Sequence, residues 1–412
     1  MRIILVDTKL DLKNGGGSNI DLHSTACALV AEGHTVSVLT VAPSRNNLPE
    51  TLPYEVIEEP ISNKPLGMRG KLTLARVLKR LEHRADIYQF EAPSLFIAGA
   101  LYRRLGGTVP VVAHLMNYSF FCTSPERMNA SCYQHCTLLD QLRHRRGRPV
   151  KKMLGAPLRT IEHVAGRMLI NDIDRFLALT EPVAQIHSLY GVDLNRVAYV
   201  PCKIDYPALS ARSRLTPSQR HDAGAPFRII YVGRLVRAKG VDVLLRAVAT
   251  LEFPFVLDIV GDGLARADLE RLACELGIEA SVRFHGWQPH EATTDFYLAA
   301  DVMVHPGRWP EPQGIAVLEA AALGIPLIVS DIGGPVLTLK DATLRFRPDD
   351  HVDLGNQIAS LKRDPDLAAE LVAKGRQRAR LFDRPAVINA LLGVYEELTG
   401  SAAGVMRSYA GD

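Results

Sequence analysis

Short apolar runs alternate with amphipathic segments along the whole chain, the pattern of parallel strands joined by helices. In the first half it predicts strands at Arg2–Asp7, Val36–Val41, Ile87–Phe90, Val109–His114, Arg175–Leu179 and Val197–Val200. Helices are predicted at Ile20–Glu32, Leu72–Arg84, Leu95–Leu105 and Glu181–Leu189. The first of these keeps Ile20, Leu22, Cys27, Leu29 and Val30 broadly to one side and stops at Gly33. The pattern then restarts. Strands are expected at Arg228–Val232, Val256–Val260, Val282–Phe284, Val302–His305, Pro326–Val329 and Thr343–Phe346, with helices at Val241–Leu251 and Asp268–Leu276.

Between the halves, Ala208–Pro226 is rich in Ser, Arg, Pro and Ala and poor in large apolar residues, the composition of a linker. A last helical pattern, Leu381–Leu398, carries Val387, Leu391, Leu392 and Tyr395 and is expected to pack back on the first domain. The expectation is therefore an α/β protein of two doubly wound, Rossmann-like domains facing one cleft, with ligands at the carboxyl ends of the strands. The domains would be residues 1–206 and 207–380, with 381–412 returning to the first.

Composition narrows this. A chain of 412 residues exceeds one ordinary core. Hydrophobic content of 47% with 23% charged residues is that of a globular protein, and no uncharged apolar stretch approaches the ~20 residues of a membrane span. Met1–Asp7 reads as a buried strand rather than a secretory leader, so a cytoplasmic location is expected. The net charge of +3 combines a basic first half with a mildly acidic second half, which decides little by itself. The six cysteines are too few for a disulfide scaffold.

The candidate chemistry lies in the second half. The strand ending at Val232 runs into Gly233-Arg234, and Lys239-Gly240 lie just before the next helix. Two fixed cations at a strand end suit a diphosphate leaving group, whose negative charge grows as its bond to a sugar breaks. Arg forks across two oxygens, and Lys acts as a compact charge. As ordinary loop residues the two would simply be solvated. Downstream, Glu311 and Glu319 bracket a segment that cannot be helical before Gln313-Gly314, because Pro310 and Pro312 flank Glu311. The free N–H groups of the helix start suit phosphate or a hydroxyl. Glu319, embedded among Ala, Val and Leu, is a poor candidate for an idle surface residue, since a buried carboxylate needs a partner.

The joint pattern Gly-Arg-(x4)-Lys-Gly, then Glu-(x7)-Glu with Leu-Glu-Ala and Gly-Ile-Pro-Leu-Ile behind it, resembles the retaining GT-B glycosyltransferases of the family 4 (group 1) type, most strongly over Arg228–Val329. The resemblance implies Glu311 on the hydroxyls of a donor sugar, Glu319 on ribose, and Arg234 with Lys239 on the diphosphate. Gly233, Pro312, Gln313, Gly314 and Ile315 would complete the donor site. It also implies that the glycine-rich Gly15-Gly16-Gly17-Ser18 approaches donor phosphate and acceptor by Gly16 and Gly17, where a side chain would intrude. His114, closing its strand, would hold a sugar hydroxyl. Departures from the family pattern are Leu115–Tyr118 after that histidine, Pro201-Cys202-Lys203, Pro306-Gly307, and Gly333-Gly334-Pro335 without a following Glu.

Three weaker signals remain. Cys122, Cys132 and Cys136, with His135, are a candidate tetrahedral zinc set, or a cysteine-rich insertion near the acceptor. The run Arg143-His144-Arg145-Arg146-Gly147-Arg148 with Lys151-Lys152 is either a solvated loop or a contact with an anionic membrane face. Nucleic acid is disfavoured, as no stacking aromatics interleave the run. Asp172-Ile173-Asp174 and Asp364-Pro365-Asp366 have the Asp-x-Asp form but follow no nucleotide-binding strand pattern.

The expected activity is thus metal-independent, retaining transfer of a hexosyl unit from a UDP- or GDP-linked sugar to a glycan, lipid-linked or small-molecule acceptor, without a resident cofactor, in polysaccharide or glycoconjugate synthesis. A nucleotide-sugar 2-epimerase and a non-catalytic nucleotide-sugar-binding subunit are the alternatives.

Overall fold

In the computed structural model the residues described are 1–13, 17–44, 48–61, 67–122, 166–213 and 225–400. They divide into two compact units. One draws on the described residues among 1–122, 166–202 and 384–400; the other on those among 203–383.

The first unit holds seven parallel strands: β1 (Arg2–Asp7), β2 (Thr35–Thr40), β3 (Glu55–Glu58), β4 (Ile87–Phe90), β5 (Val111–Leu115), β6 (Arg175–Ala178) and β7 (Val197–Tyr199), in the order β3-β2-β1-β4-β5-β6-β7. Helices α1 (Gly17–Ala31), α2 (Met68–Leu81), α3 (Phe96–Arg104) and α4 (Glu181–Ser188) connect them. Ile3, Leu5, Val36, Val38 and Ile87 of the sheet pack with Leu22, Ala26 and Leu29 of α1. The C-terminal helix, Arg384–Thr399, joins the same core through Val387, Ile388, Leu391 and Tyr395.

The second unit begins with α5 (Tyr206–Arg212) and has six parallel strands, β8 (Phe227–Val232), β9 (Phe255–Val260), β10 (Val282–Gly286), β11 (Val302–His305), β12 (Leu327–Ser330) and β13 (Leu344–Phe346). Their order is β10-β9-β8-β11-β12-β13. Its further helices are α6 (Val241–Val248), α7 (Arg266–Glu275), α8 (His290–Leu298), α9 (Ile315–Leu323), α10 (Gly334–Leu339), α11 (His351–Arg363) and α12 (Pro365–Arg380). Side chains alternate across a strand, and here both faces are buried. Ile229, Tyr231, Leu257, Val302 and Val304 pack on one side with Leu244, Leu245 and Val248 of α6. Ile230, Val260, Met303 and Val329 pack on the other with Val317, Leu318 and Ala321 of α9. Burial on both faces explains why these strands read as unbroken apolar runs.

In both sheets the order reverses beside the first strand of the unit, between β1 and β4 and between β8 and β11. Ligands of open α/β sheets bind outside the carboxyl ends of strands at such a switch point.

The expected linker is partly ordered helix. Asp205 accepts from Ala208 N at 3.1 Å and Pro207 occupies the first turn, so Ala208–Arg212 continue α5. The predicted final helix starts at Arg384 rather than Leu381, because Leu381–Asp383 turn the chain out of α12. No helix among the described residues is long and apolar enough to cross a membrane.

Candidate active site

The loops after β8 and β11 meet at the switch point of the second unit. Gly240, the residue before α6, has φ +68°, and a Cβ there would lie 1.8 Å from the Pro306 carbonyl oxygen. Only glycine lets these two backbones touch in that conformation. Gly261, after β9, does the same against the Gly233 carbonyl oxygen, at 1.9 Å. Three strand ends are thereby stitched together with no side chain between them.

Lys239 ends a short 3-10 turn, Arg237–Lys239, and is buried. Its ammonium donates to both carboxylate oxygens of Glu311 at 2.6 Å, and lies 5.8 Å from the Trp309 ring centroid, a cation–π contact. The turn is pinned by Arg308. Its backbone N–H donates to the Ala238 carbonyl at 2.8 Å, and its guanidinium forks onto Asp242 at 2.5 and 2.7 Å and also reaches Asp349.

Glu311 sits in the non-helical segment ahead of α9, and its own carbonyl accepts from Gly334 N at 2.6 Å. His305, the last residue of β11, places Nε2 2.7 Å from Glu311 Oε2, at ion-pair distance but off the angle of a well-directed hydrogen bond. Burial alone would raise the Glu311 pKa. Lys239 and then His305 outweigh it and hold the carboxyl far below its ordinary value.

Gly314 (φ +91°) turns the chain into α9, which starts at Ile315. Pro312 and Gln313 are buried beside it. Glu319 lies inside the helix and is buried; His290 Nε2 at 3.4 Å and the Tyr297 hydroxyl at 3.5 Å are its long-range partners. Burial raises its pKa, against the opposing influence of His290. Arg234 follows Gly233 directly and is exposed, with its carbonyl accepting from the Tyr231 hydroxyl at 3.0 Å.

In the first unit, His114 lies in β5, one residue before its end, and is buried. Its Nδ1 stands 2.9 Å from Oε2 of Glu91, the residue after β4. Gly17 is the exposed first residue of α1, while Gly15 and Gly16 lie outside the described residues. So do Cys132, Cys136, His135 and the basic run 143–152; Cys122 is half-buried. Among the described residues no group of His, Cys, Asp and Glu has the arrangement of a metal site. Three of the four Asp-x-Asp acids have structural work. Asp172 pairs with Arg104 at 2.8 Å, Asp174 pairs with Arg103 at 2.8 Å, and Asp364 caps α12 through Leu367 N.

The structure adds His305, Arg308, Trp309 and Glu91 to the residues found by sequence. Their signal was modest: a polar residue closing an apolar run at Glu91 and His305, and a proline-bounded loop at Arg308 and Trp309.

Two doubly wound parallel units define the GT-B class, and solved members share the fold over nearly the whole chain. Sucrose-phosphate synthase from Thermosynechococcus elongatus matches with a TM-score of 0.72 and 20% identity, covering 97% of this chain and 99% of that one. Anabaena HepE in complex with UDP matches with a TM-score of 0.70 and 19% identity, covering 97% and 100%. In sequence, the D-inositol 3-phosphate glycosyltransferase of Thermomonospora curvata is 32% identical over 259 residues, 57% of this chain and 60% of that protein. The match thus spans less than two thirds of that relative's length. Residues 15–206 match the family described as Glycosyltransferase Family 4, and residues 216–378 that described as Glycosyl transferases group 1. The chain belongs to the GT-B glycosyltransferases of the family 4 type.

Proposed function

We propose that this protein transfers a hexosyl unit from a nucleotide diphosphate sugar to an acceptor hydroxyl, with retention of configuration and without a metal. The observation that carries the reading is the pairing of Lys239 with Glu311 at the switch point of the second unit. A cation for diphosphate and an acid for sugar hydroxyls stand side by side, and α9 carries Glu319 a short way on.

In this reading Arg234 and Lys239 take the diphosphate, Glu311 the sugar and Glu319 the ribose diol, the long contacts of Glu319 leaving its oxygens acceptor capacity. The bond from the sugar's anomeric carbon to the phosphate oxygen breaks, and the acceptor oxygen bonds that carbon on the same face. The acceptor proton passes to the departing phosphate oxygen. The two cations stabilise the charge that this oxygen gains as the bond lengthens, so no protein nucleophile is required. The first unit takes the acceptor, with His114 holding a hydroxyl.

Supplying purified protein with a panel of UDP- and GDP-sugars and measuring nucleotide release tests the reading. Acceptor arms include D-inositol 3-phosphate, suggested by the name of the Thermomonospora curvata relative, alongside lipid-linked and glycan acceptors. Acceptor-dependent release with an α-configured product from an α-linked donor, unaffected by EDTA, is expected. Sugar epimerisation without transfer, or nucleotide binding without turnover, would replace it with one of the two alternatives.

A further inference from the structure

A chain of buried polar groups runs through the first unit and ends at His114. The Tyr395 hydroxyl, on the C-terminal helix, donates to Gln89 Oε1 at 2.5 Å. The Gln89 amide N–H donates to Glu91 Oε1, and Glu91 Oε2 faces His114 Nδ1 at 2.9 Å. Relative exposures are 0% for Tyr395, 1% for Gln89, 5% for Glu91 and 5% for His114, so solvent does not replace these contacts. The direction of the chain is fixed chemically. The Gln89 carbonyl oxygen can only accept, so Tyr395 donates; its nitrogen can only donate, so Glu91 Oε1 accepts. The other oxygen, as carboxylate, accepts from the imidazole. Meanwhile His114 Nε2 is buried without a hydrogen-bond partner among the described residues. Buried polar atoms are rarely left so, and one at a strand end beside a switch point is suited to a ligand.

We propose that Glu91 is a positioning residue for His114: backed by Gln89 and Tyr395, it holds the imidazole proton on Nδ1 and leaves Nε2 as the acceptor for a sugar hydroxyl. A hydrogen bond at one ring nitrogen sets the state of the other. The Nε2 lone pair therefore orients a hydroxyl oxygen by accepting its proton in a hydrogen bond, and no proton need be lost. This inference rests on the sugar-transfer reading for the identity of the hydroxyl, though the tautomer itself does not.

Nitrogen-15 NMR of the full chain, with His114 assigned by the loss of its signals in His114→Asn, reads the tautomer directly. The expected wild-type signal is the Nδ1–H form; the Nε2–H form would overturn the proposal. Glu91→Gln, whose amide can turn its N–H toward Nδ1, is expected to shift His114 toward the Nε2–H form and, by misplacing the hydroxyl, to lower kcat on the order of 10²-fold. The KM for donor and the affinity for free nucleotide should stay unchanged. Glu91→Asp should recover part of the loss, and Tyr395→Phe should cost less than Glu91→Gln. An unaltered kcat in Glu91→Gln would also overturn the proposal. If Glu91→Gln does not fold, the wild-type tautomer still decides. A wild type that turns over no donor would defeat the transfer reading while leaving the tautomer result standing.

Discussion

The two switch points of this molecule carry opposite kinds of polar cluster. In the second unit, full charges face one another: an ammonium grips a carboxylate through both oxygens, with an imidazole behind it. In the first unit, one carboxylate ends a relay of uncharged donors and acceptors, and the outward nitrogen of the ring has no partner among the described residues. Buried charges endure only when paired, and removing one partner strands the other. A hydrogen-bonded relay instead sets direction, through which atom carries the proton. The first arrangement suits binding of charge that develops during reaction, and the second suits orientation of a neutral hydroxyl.

Substitutions can break or sharpen that contrast. Glu311→Ala should have the largest effect on transfer, on the order of 10³-fold, with free-nucleotide binding largely intact. Steady-state kinetics beside calorimetry would show it, and normal turnover would remove Glu311 from the site. His114→Ala should cost less, on the order of 10²-fold, because the orientation of a hydroxyl is lost rather than a charged contact. A ranking in the reverse order would mean that the first unit dominates the chemistry.

Gly240→Ala tests the backbone beneath the charged cluster. Its positive φ and the near approach of the Pro306 carbonyl should cost at least about 1–3 kcal/mol of stability, read as a lowered denaturation midpoint. An unchanged midpoint would show that the two loops separate freely.

The smallest effect expected is a pH dependence at Asp7, which ends β1 beside the relay. Burial pushes its carboxyl from 3.8 up to about 6, the nearby Glu91 adding to this against hydrogen bonds from Thr8. Between those values the folded state keeps a proton that the unfolded chain releases. Stability from this group is therefore full below the unfolded value and drains as pH rises through the folded one. Asp7→Asn should melt higher than wild type at about pH 7 and gain little at about pH 4. Equal gains at both would place the cause elsewhere.

Much of the fold was legible because strands buried on both faces leave apolar runs, and those runs fixed the core of β1, β4, β8, β9 and β11 to within a residue or two. The edge strand β3 escaped, being four half-exposed residues with Glu at each end. Helix α12 escaped for a different reason. Its buried stripe includes Ala368, Gly375 and Ala379, small residues that leave little hydrophobic periodicity. Among the candidate groups, Lys239, Glu311 and Glu319 were legible from spacing and proline positions. Their companions were not, since the contact of His305 with Glu311 and the clamp of Arg308 on Asp242 depend on which strand ends become neighbours. Glu91 and His114 stand 23 positions apart, and only the pairing of β4 with β5 brings them together.

The backbone-to-backbone seams at Gly240 and Gly261 have a practical consequence for anyone redesigning this protein. Variation confined to the projecting side chains around them can retune what the second unit grips, because the scaffold underneath keeps its shape. Libraries that randomise those two glycines would mostly sample misfolded chains, and so would those that replace the clamp of Arg308 or the buried His305 and Trp309, whereas exposed Arg234 offers a position where diversity can act without dismantling the floor on which it stands.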